Sequence, residues 1–288
     1  MSRPRFAPVV FIWSLLAIVA VEIVVTYWRV PPAGLYHVSG TGPAGGFGRA
    51  LVYLNFPVAL ATLPLAVLAA DRLRARRLAV LAGIVAVALC SVVFWPGVVE
   101  ESDLDPRAIN ALPAAGVALA LALTALSGLF RVRVRANWAL AAFAALLLVL
   151  ALPWIAADLG FYLDGVPVLD HFLTGKPYEG TAAVHHGHHH GMDGVLLALT
   201  ALAAVPLVRR ARLRAVQVAT AAYVGLQLVY GLANVVNDAW LEQVVKRGWL
   251  KTAVPGVLTP SASFAWLGIV VGAAVAAVVV LGSTHNPR

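Results

Sequence analysis

The run APVVFIWSLLAIVAVEIVVTYW, residues 7–28, indicates how this chain folds. Nearly all of its 22 residues are apolar, and a helix of that length can cross the hydrocarbon core of a bilayer. The run is longer than the hydrophobic part of a cleaved signal peptide, and no small-residue cleavage motif follows Trp28 closely. We therefore expect it to remain as the first membrane helix.

Seven further apolar runs follow the first. They cover residues 50–70, 78–99, 108–130, 138–157, 188–208, 215–236 and 262–282. Hydrophobic residues make up 61% of the chain and charged residues only 12%, about half the charged fraction of a soluble domain. The sequence predicts an all-α membrane protein: a single polytopic domain over residues 1–288, built as a bundle of about eight transmembrane helices.

Basic residues are distributed unevenly between the predicted loops. Of the 21 Lys and Arg residues, fourteen lie near the two termini or in the turns around 72–77, 131–135 and 209–214, and seven lie in the other loops. The positive-inside rule then places both termini in the cytoplasm. These clusters indicate contact with membrane lipids and not with nucleic acid. The excess of Arg over Lys suggests a bacterial plasma membrane.

Two features mark the predicted outer surface. Residues 239–251 alternate apolar and polar side chains at helical spacing, which predicts a short amphipathic helix lying in the interface. An aromatic belt is expected at the outer helix ends, to which we assign no chemistry. Its predicted members are Tyr27, Trp28, Tyr53, Trp95, Trp154 and Trp266.

The segment HHGHHH, residues 185–190, comes just before the sixth apolar run. Neutral imidazole is a common ligand for transition metals, so the segment predicts a site for zinc, copper or iron at the extracytoplasmic face. If the helix begins near His186, then His186, His190 and Asp193 share one face. The full set of candidate ligands is His185, His186, His188, His189, His190, Asp193, His37 and His171.

Two carboxylates are the candidate catalytic residues. Glu22 lies inside the first apolar run, where a carboxylate is costly and implies a partner: a hydroxyl or amide on a neighbouring helix, or the metal site. A polar stripe on the seventh run contains Gln227, Tyr230 and Asn234 and ends at Asn237 or at the second candidate, Asp238. Such a stripe is expected to face other helices. Either carboxylate could act as a general base beside a metal.

Three functions are compatible with these features. The leading hypothesis is a membrane protein with a metal site at its extracytoplasmic face; if the metal is catalytic, the expected substrate is a lipid or another membrane-soluble molecule. The second is a non-enzymatic protein that handles copper or zinc. The third is a structural subunit whose histidines sense pH. The scarcity of ionisable residues in the inner halves of the runs argues against a transporter.

Overall fold

A computed structural model gives the architecture of the chain. It describes residues 4–35, 37–95, 98, 103–161, 166, 187–245, 249–252 and 254–282. His171, His185 and His186 lie outside these residues.

Helices make up nearly all of the regular structure. Their bounds are α1 Pro8–Arg29, α2 Gly42–Tyr53, α3 Ala59–Arg72, α4 Arg77–Cys90, α5 Ala111–Leu126, α6 Trp138–Leu150, α7 Leu152–Asp158, α8 His190–Val208, α9 Arg214–Trp240 and α10 Phe264–Gly282. A π-helical turn, Leu54–Val58, joins α2 to α3 without a break. The two short strands, β1 Arg5–Phe6 and β2 Val134–Arg135, pair antiparallel.

The predicted number of membrane helices is confirmed as far as length and composition can show it. Within the described residues, seven helical segments are long and apolar enough to cross a membrane. The pair α6–α7, bent by 54°, is an eighth candidate if it forms one span. The chain is therefore compatible with a multi-pass membrane protein.

Helix α8 is the most enclosed of these segments. Of its most apolar stretch 89% is buried, against 17% for α10. Small residues let α8 approach α9 closely: a Cβ on Gly194 would lie 2.5 Å from the Gly231 carbonyl oxygen. This close contact fixes the N-terminal half of α8 against the C-terminal half of α9.

The arginine-rich turns meet at one end of the helices, which we call the basic end. The N-terminal strand pairs there with the segment between α5 and α6, since Arg5 lies opposite Arg135. The Arg210 guanidinium donates to the Arg133 carbonyl at 3.2 Å, and the Arg212 amide donates to Asp71 Oδ2 at 2.5 Å. The start of the chain and these turns therefore share one end.

The opposite end contains the C-terminus of α1, the N-terminus of α8 and the C-terminus of α9. We call it the histidine end because residues 187–190 lie there. The polar stripe of α9 climbs toward this end and faces other helices, as predicted. All four members of the stripe are buried: Gln227, Tyr230, Asn234 and Asp238.

The separate interfacial helix predicted over 239–251 is wrong in its boundaries. Helix α9 continues to Trp240 and then into a π-helical turn, Leu241–Val245. No Gly or Pro interrupts the chain between Asn234 and Val245, so nothing ends α9 where the prediction started a new helix.

Candidate functional site

The backbone bends sharply just before α8. Gly187 has φ 104°, and α8 begins only at His190, with His189 as its N-cap in an extended conformation. A Cβ on Gly187 would lie 2.4 Å from the Tyr27 hydroxyl, so a side chain at this position would collide with α1. Helix α8 thus begins four residues after the predicted start at His186, and the position of His186 relative to His190 lies outside the described residues.

The bend directs His188 inward, between two carboxylates. Its Nδ1 lies 2.8 Å from Asp158 Oδ2, and its Nε2 lies 2.5 Å from Asp193 Oδ1. The side chains of His188, Asp158 and Asp193 are exposed by only 2%, 3% and 7%. The buried imidazole is thus held at both ring nitrogens.

This geometry favours the charged form of the imidazole. A neutral ring has a hydrogen on one nitrogen only, whereas both neighbours here are carboxylates that accept when ionised. Burial by itself lowers the pKa of His188, but Asp158 and Asp193 outweigh burial and hold that pKa well above its ordinary value.

Aromatic and basic residues of α1 and α2 form the walls around His188. The Tyr27 hydroxyl accepts a hydrogen bond from the His188 backbone amide at 3.0 Å, and the Tyr53 ring meets the imidazole edge-on at 5.3 Å. The Arg49 guanidinium lies 5.5 Å from the centre of the Tyr27 ring. Within the described residues, the buried Tyr53 hydroxyl and Asp158 Oδ1 have no hydrogen-bond partner.

Glu22 joins this group through Thr26. The Thr26 hydroxyl lies 3.1 Å from Glu22 Oε1 and also contacts the backbone carbonyl of Asp158. Glu22 therefore has the hydroxyl partner that its position requires, on its own helix and not a neighbouring one. The same hydroxyl connects it to the residue that holds His188. We call Glu22, Asp158, His188 and Asp193 the His188 cluster.

Asp238 has a different environment at the same end of the helices. Its Oδ2 accepts a hydrogen bond from the Gly191 amide at 2.8 Å, in the first turn of α8. A carboxylate at this position satisfies an amide that has no partner within the helix and interacts favourably with the helix dipole. Asp238 thus fixes the start of α8 from α9.

The structure describes three further candidate ligands: His190, His189 and His37. His190 Nδ1 is 3.7 Å from Asp193 Oδ2, and its side chain is 44% exposed. His189 is buried beside it. His37 lies in the loop after α1, where its carbonyl accepts from the Leu104 amide at 3.0 Å. Among the described residues, no group of three or more His, Cys, Asp or Glu is arranged to hold a metal ion.

Several residues of the site were not predicted from the sequence. Tyr27, Tyr53 and Trp154 are exposed by only 2%, 1% and 1%, so their assignment to an aromatic belt was wrong. By contrast, Trp28 and Trp95 are exposed by 50% and 59%, as membrane-facing rings should be. Tyr27 and Trp28 are adjacent in the sequence, and only their positions on α1 distinguish them.

Comparison of the chain with protein families, with curated proteins and with solved structures finds no match. The function is therefore inferred from the residues of the site.

Proposed function

We propose that the His188 cluster binds one divalent transition metal ion, zinc, copper or iron, in a multi-pass plasma-membrane protein. In this proposal the helices form a bundle with both termini in the cytoplasm, and the histidine end faces outward. The positive-inside rule supports this orientation, because the arginine-rich turns lie together at the other end.

The observation that carries the proposal is the imidazole buried among carboxylates. A metal ligand must be a neutral imidazole. With His188 neutral, the two carboxylates that face its ring, Asp158 and Asp193, carry two negative charges, and Arg49, buried nearby, provides one positive charge. The buried group then has an excess of negative charge, which a bound metal cation neutralises.

The contact between Asp158 and His188 suits metal binding. A carboxylate on one ring nitrogen orients the imidazole and makes the other nitrogen a better ligand. Here Asp158 holds Nδ1, which leaves Nε2 as the ligand atom.

Binding requires a local change at Asp193. Bond lengths of about 2.0–2.2 Å to tetrahedral zinc separate two ligand atoms by about 3.3 Å. His188 Nε2 and Asp193 Oδ1 are 2.5 Å apart, so Asp193 must move by about 1 Å to admit the ion. His190, half-exposed on the other oxygen of Asp193, is the third proposed ligand.

The depth of the cluster favours a resident ion over an exchangeable one. A metal-handling site is expected to be shallow, whereas the His188 side chain is only 2% exposed. We therefore propose a metal-dependent enzyme whose substrate is a lipid or another membrane-soluble molecule. Glu22 is the better candidate for the general base, because Asp238 is already held by a backbone amide.

Elemental analysis of the purified protein tests the proposal. The protein is purified with an affinity tag that contains no histidine, stripped with chelator, and reloaded with Zn²⁺ in lipid nanodiscs. We expect about one ion per chain in the wild type and in the controls His37→Ala and Asp71→Asn, which alter a loop histidine and a buried carboxylate at the basic end.

The variants His188→Ala and Asp158→Asn are expected to lose at least nine-tenths of this metal. Each variant must elute as the wild type does in size-exclusion chromatography, so that loss of metal is not loss of fold. Full metal stoichiometry in a folded His188→Ala protein would show that the cluster is not the metal site.

A further inference from the structure

A cavity lies below the histidine end, between α3, α8, α9 and the start of α10. Its volume is about 320 Å³, at the lower end of the range for small-molecule sites. Most of its wall is hydrocarbon or aromatic, including Phe56, Leu60 and Leu226. Phe94 and Trp95 also line it and are exposed by 62% and 59%, so the cavity reaches the lateral surface of the helices.

One polar group in this wall has a fixed orientation. The Gln227 amide nitrogen donates to the Leu197 carbonyl at 3.1 Å and to Thr200 Oγ1 at 2.8 Å. Because a carbonyl can only accept, these contacts determine which end of the amide is nitrogen. Oε1 therefore belongs to the other end, and it is buried without a hydrogen-bond partner among the described residues.

A second polar group in the wall lacks an acceptor, whereas Gln227 Oε1 lacks a donor. The Trp266 indole packs on Tyr230 with ring centres 5.6 Å apart, and its buried Nε1–H has no acceptor among the described residues. The Tyr223 hydroxyl, also in the wall, already donates to the Leu60 carbonyl at 2.9 Å. Among the described residues, the wall thus has an acceptor without a donor, Gln227 Oε1, and a donor without an acceptor, Trp266 Nε1. Both atoms are fully buried, so a ligand reaches them only when these two side chains turn toward it.

We propose that this cavity binds an uncharged, membrane-dissolved alcohol: a molecule with a hydrocarbon body and one hydroxyl group. A hydroxyl both donates and accepts, so it matches the two unmet groups of the wall. The hydrocarbon body matches the remaining lining, and the lateral opening admits a molecule from the lipid phase. An uncharged ligand fits better than a charged one, because none of the described residues that line the wall carries a charge.

The probe for this proposal is a terminally brominated long-chain alcohol, compared with the bromoalkane of the same length. Bromine quenches tryptophan fluorescence on contact, and both Trp95 and Trp266 line the cavity. In nanodiscs containing the wild-type protein, the alcohol should quench saturably, with an affinity about tenfold higher than that of the bromoalkane.

Two variants distinguish the hydrogen bond to the hydroxyl of the ligand from the space in the cavity that its hydrocarbon body fills. Gln227→Leu removes the acceptor, so the tenfold preference for the alcohol should disappear while binding of the bromoalkane remains. Leu226→Phe keeps Gln227 and fills part of the cavity, so saturable quenching by both probes should be lost. Quenching that rises linearly with probe in the wild type, as random partition into the bilayer gives, would overturn the proposal. An undiminished alcohol preference in Gln227→Leu would also overturn it.

Discussion

The two ends of the helices use buried carboxylates in different ways. At the basic end, Asp71 is 4% exposed and accepts the backbone amide of Arg212. At the histidine end, Asp158 and Asp193 are as deeply buried, but both face one imidazole. A backbone amide always has its hydrogen, whereas an imidazole can lose one and bind a metal ion in its place.

The partner of a buried carboxylate therefore indicates its role. A carboxylate that accepts a backbone amide is structural, and one that faces an imidazole is suited to metal binding. By this criterion Asp238 resembles Asp71, although it lies at the histidine end, because its Oδ2 accepts the backbone amide of Gly191. Three predictions test this distinction, in order of expected effect on stability.

Gly191→Ala should have the largest effect. A Cβ at this position would lie 2.2 Å from the buried Trp154 ring and 2.7 Å from Asp238 Oδ2, so either α8 or the ring must shift. We expect a loss of about 1–3 kcal/mol, the usual cost of overpacking a core. Thermal unfolding in detergent measures it.

Gly268→Ala on α10 is the matched control, because its added Cβ meets no atom of another part of the described chain within 4 Å. Its stability should equal or slightly exceed that of the wild type. Equal stabilities of the two glycine variants would show that the start of α8 is not packed as described.

Asp238→Ala should have the next largest effect. It removes the acceptor for the Gly191 amide at the start of α8, and losing such a cap costs about 1–2 kcal/mol. Asp238→Asn keeps a side-chain oxygen at that position and should recover most of the stability. Both variants should retain the metal in elemental analysis, since Asp238 belongs to the structural class. Loss of metal in a folded Asp238→Asn protein would instead place Asp238 among the ligands.

Asp105→Asn should have the smallest effect on stability, and this effect should depend on pH. Burial raises the pKa of Asp105, but hydrogen bonds from Ser39 and Gly40 outweigh it and lower the pKa below 3.8. A lowered pKa stabilises the fold above the unfolded value, and this contribution is lost as pH falls through the folded value.

Measuring the unfolding temperature at several pH values between neutral pH and about pH 3 isolates this contribution of Asp105 to stability. The wild type should lose slightly more stability on acidification than Asp105→Asn does. The difference should be well below the effect of Asp238→Ala, because Asp105 lies in a partly exposed loop. Identical pH dependence in the two proteins would show that the Ser39 contact contributes nothing.

The apolar runs allowed the spans to be predicted well from sequence. The runs 188–208 and 262–282 correspond closely to His190–Val208 and Phe264–Gly282. Length and apolarity are local properties, and in lipid the backbone must satisfy its own hydrogen bonds, so such runs become helices. The segment 239–251 was harder to predict, because an amphipathic pattern does not show where one helix ends and the next begins.

The candidate site was predictable only in part. The histidine segment and Glu22 located the polar end of the molecule, but the sequence did not indicate which histidine turns inward. That depends on Gly187, whose backbone passes against Tyr27, a residue of α1 far away in the sequence. Asp158 was overlooked for the same reason, since its importance comes from a contact with His188 across 30 residues.

Anomalous X-ray diffraction from crystals loaded with Zn²⁺ tests the central claim most directly, because it locates the ion as well as counting it. We expect one strong peak between His188 Nε2 and the carboxylate of Asp193, with Asp193 moved away from its present position, and no such peak in crystals of His188→Ala. A map in which His188 stays clamped between Asp158 and Asp193, with zinc only on other histidines or nowhere, would contradict metal binding by the His188 cluster.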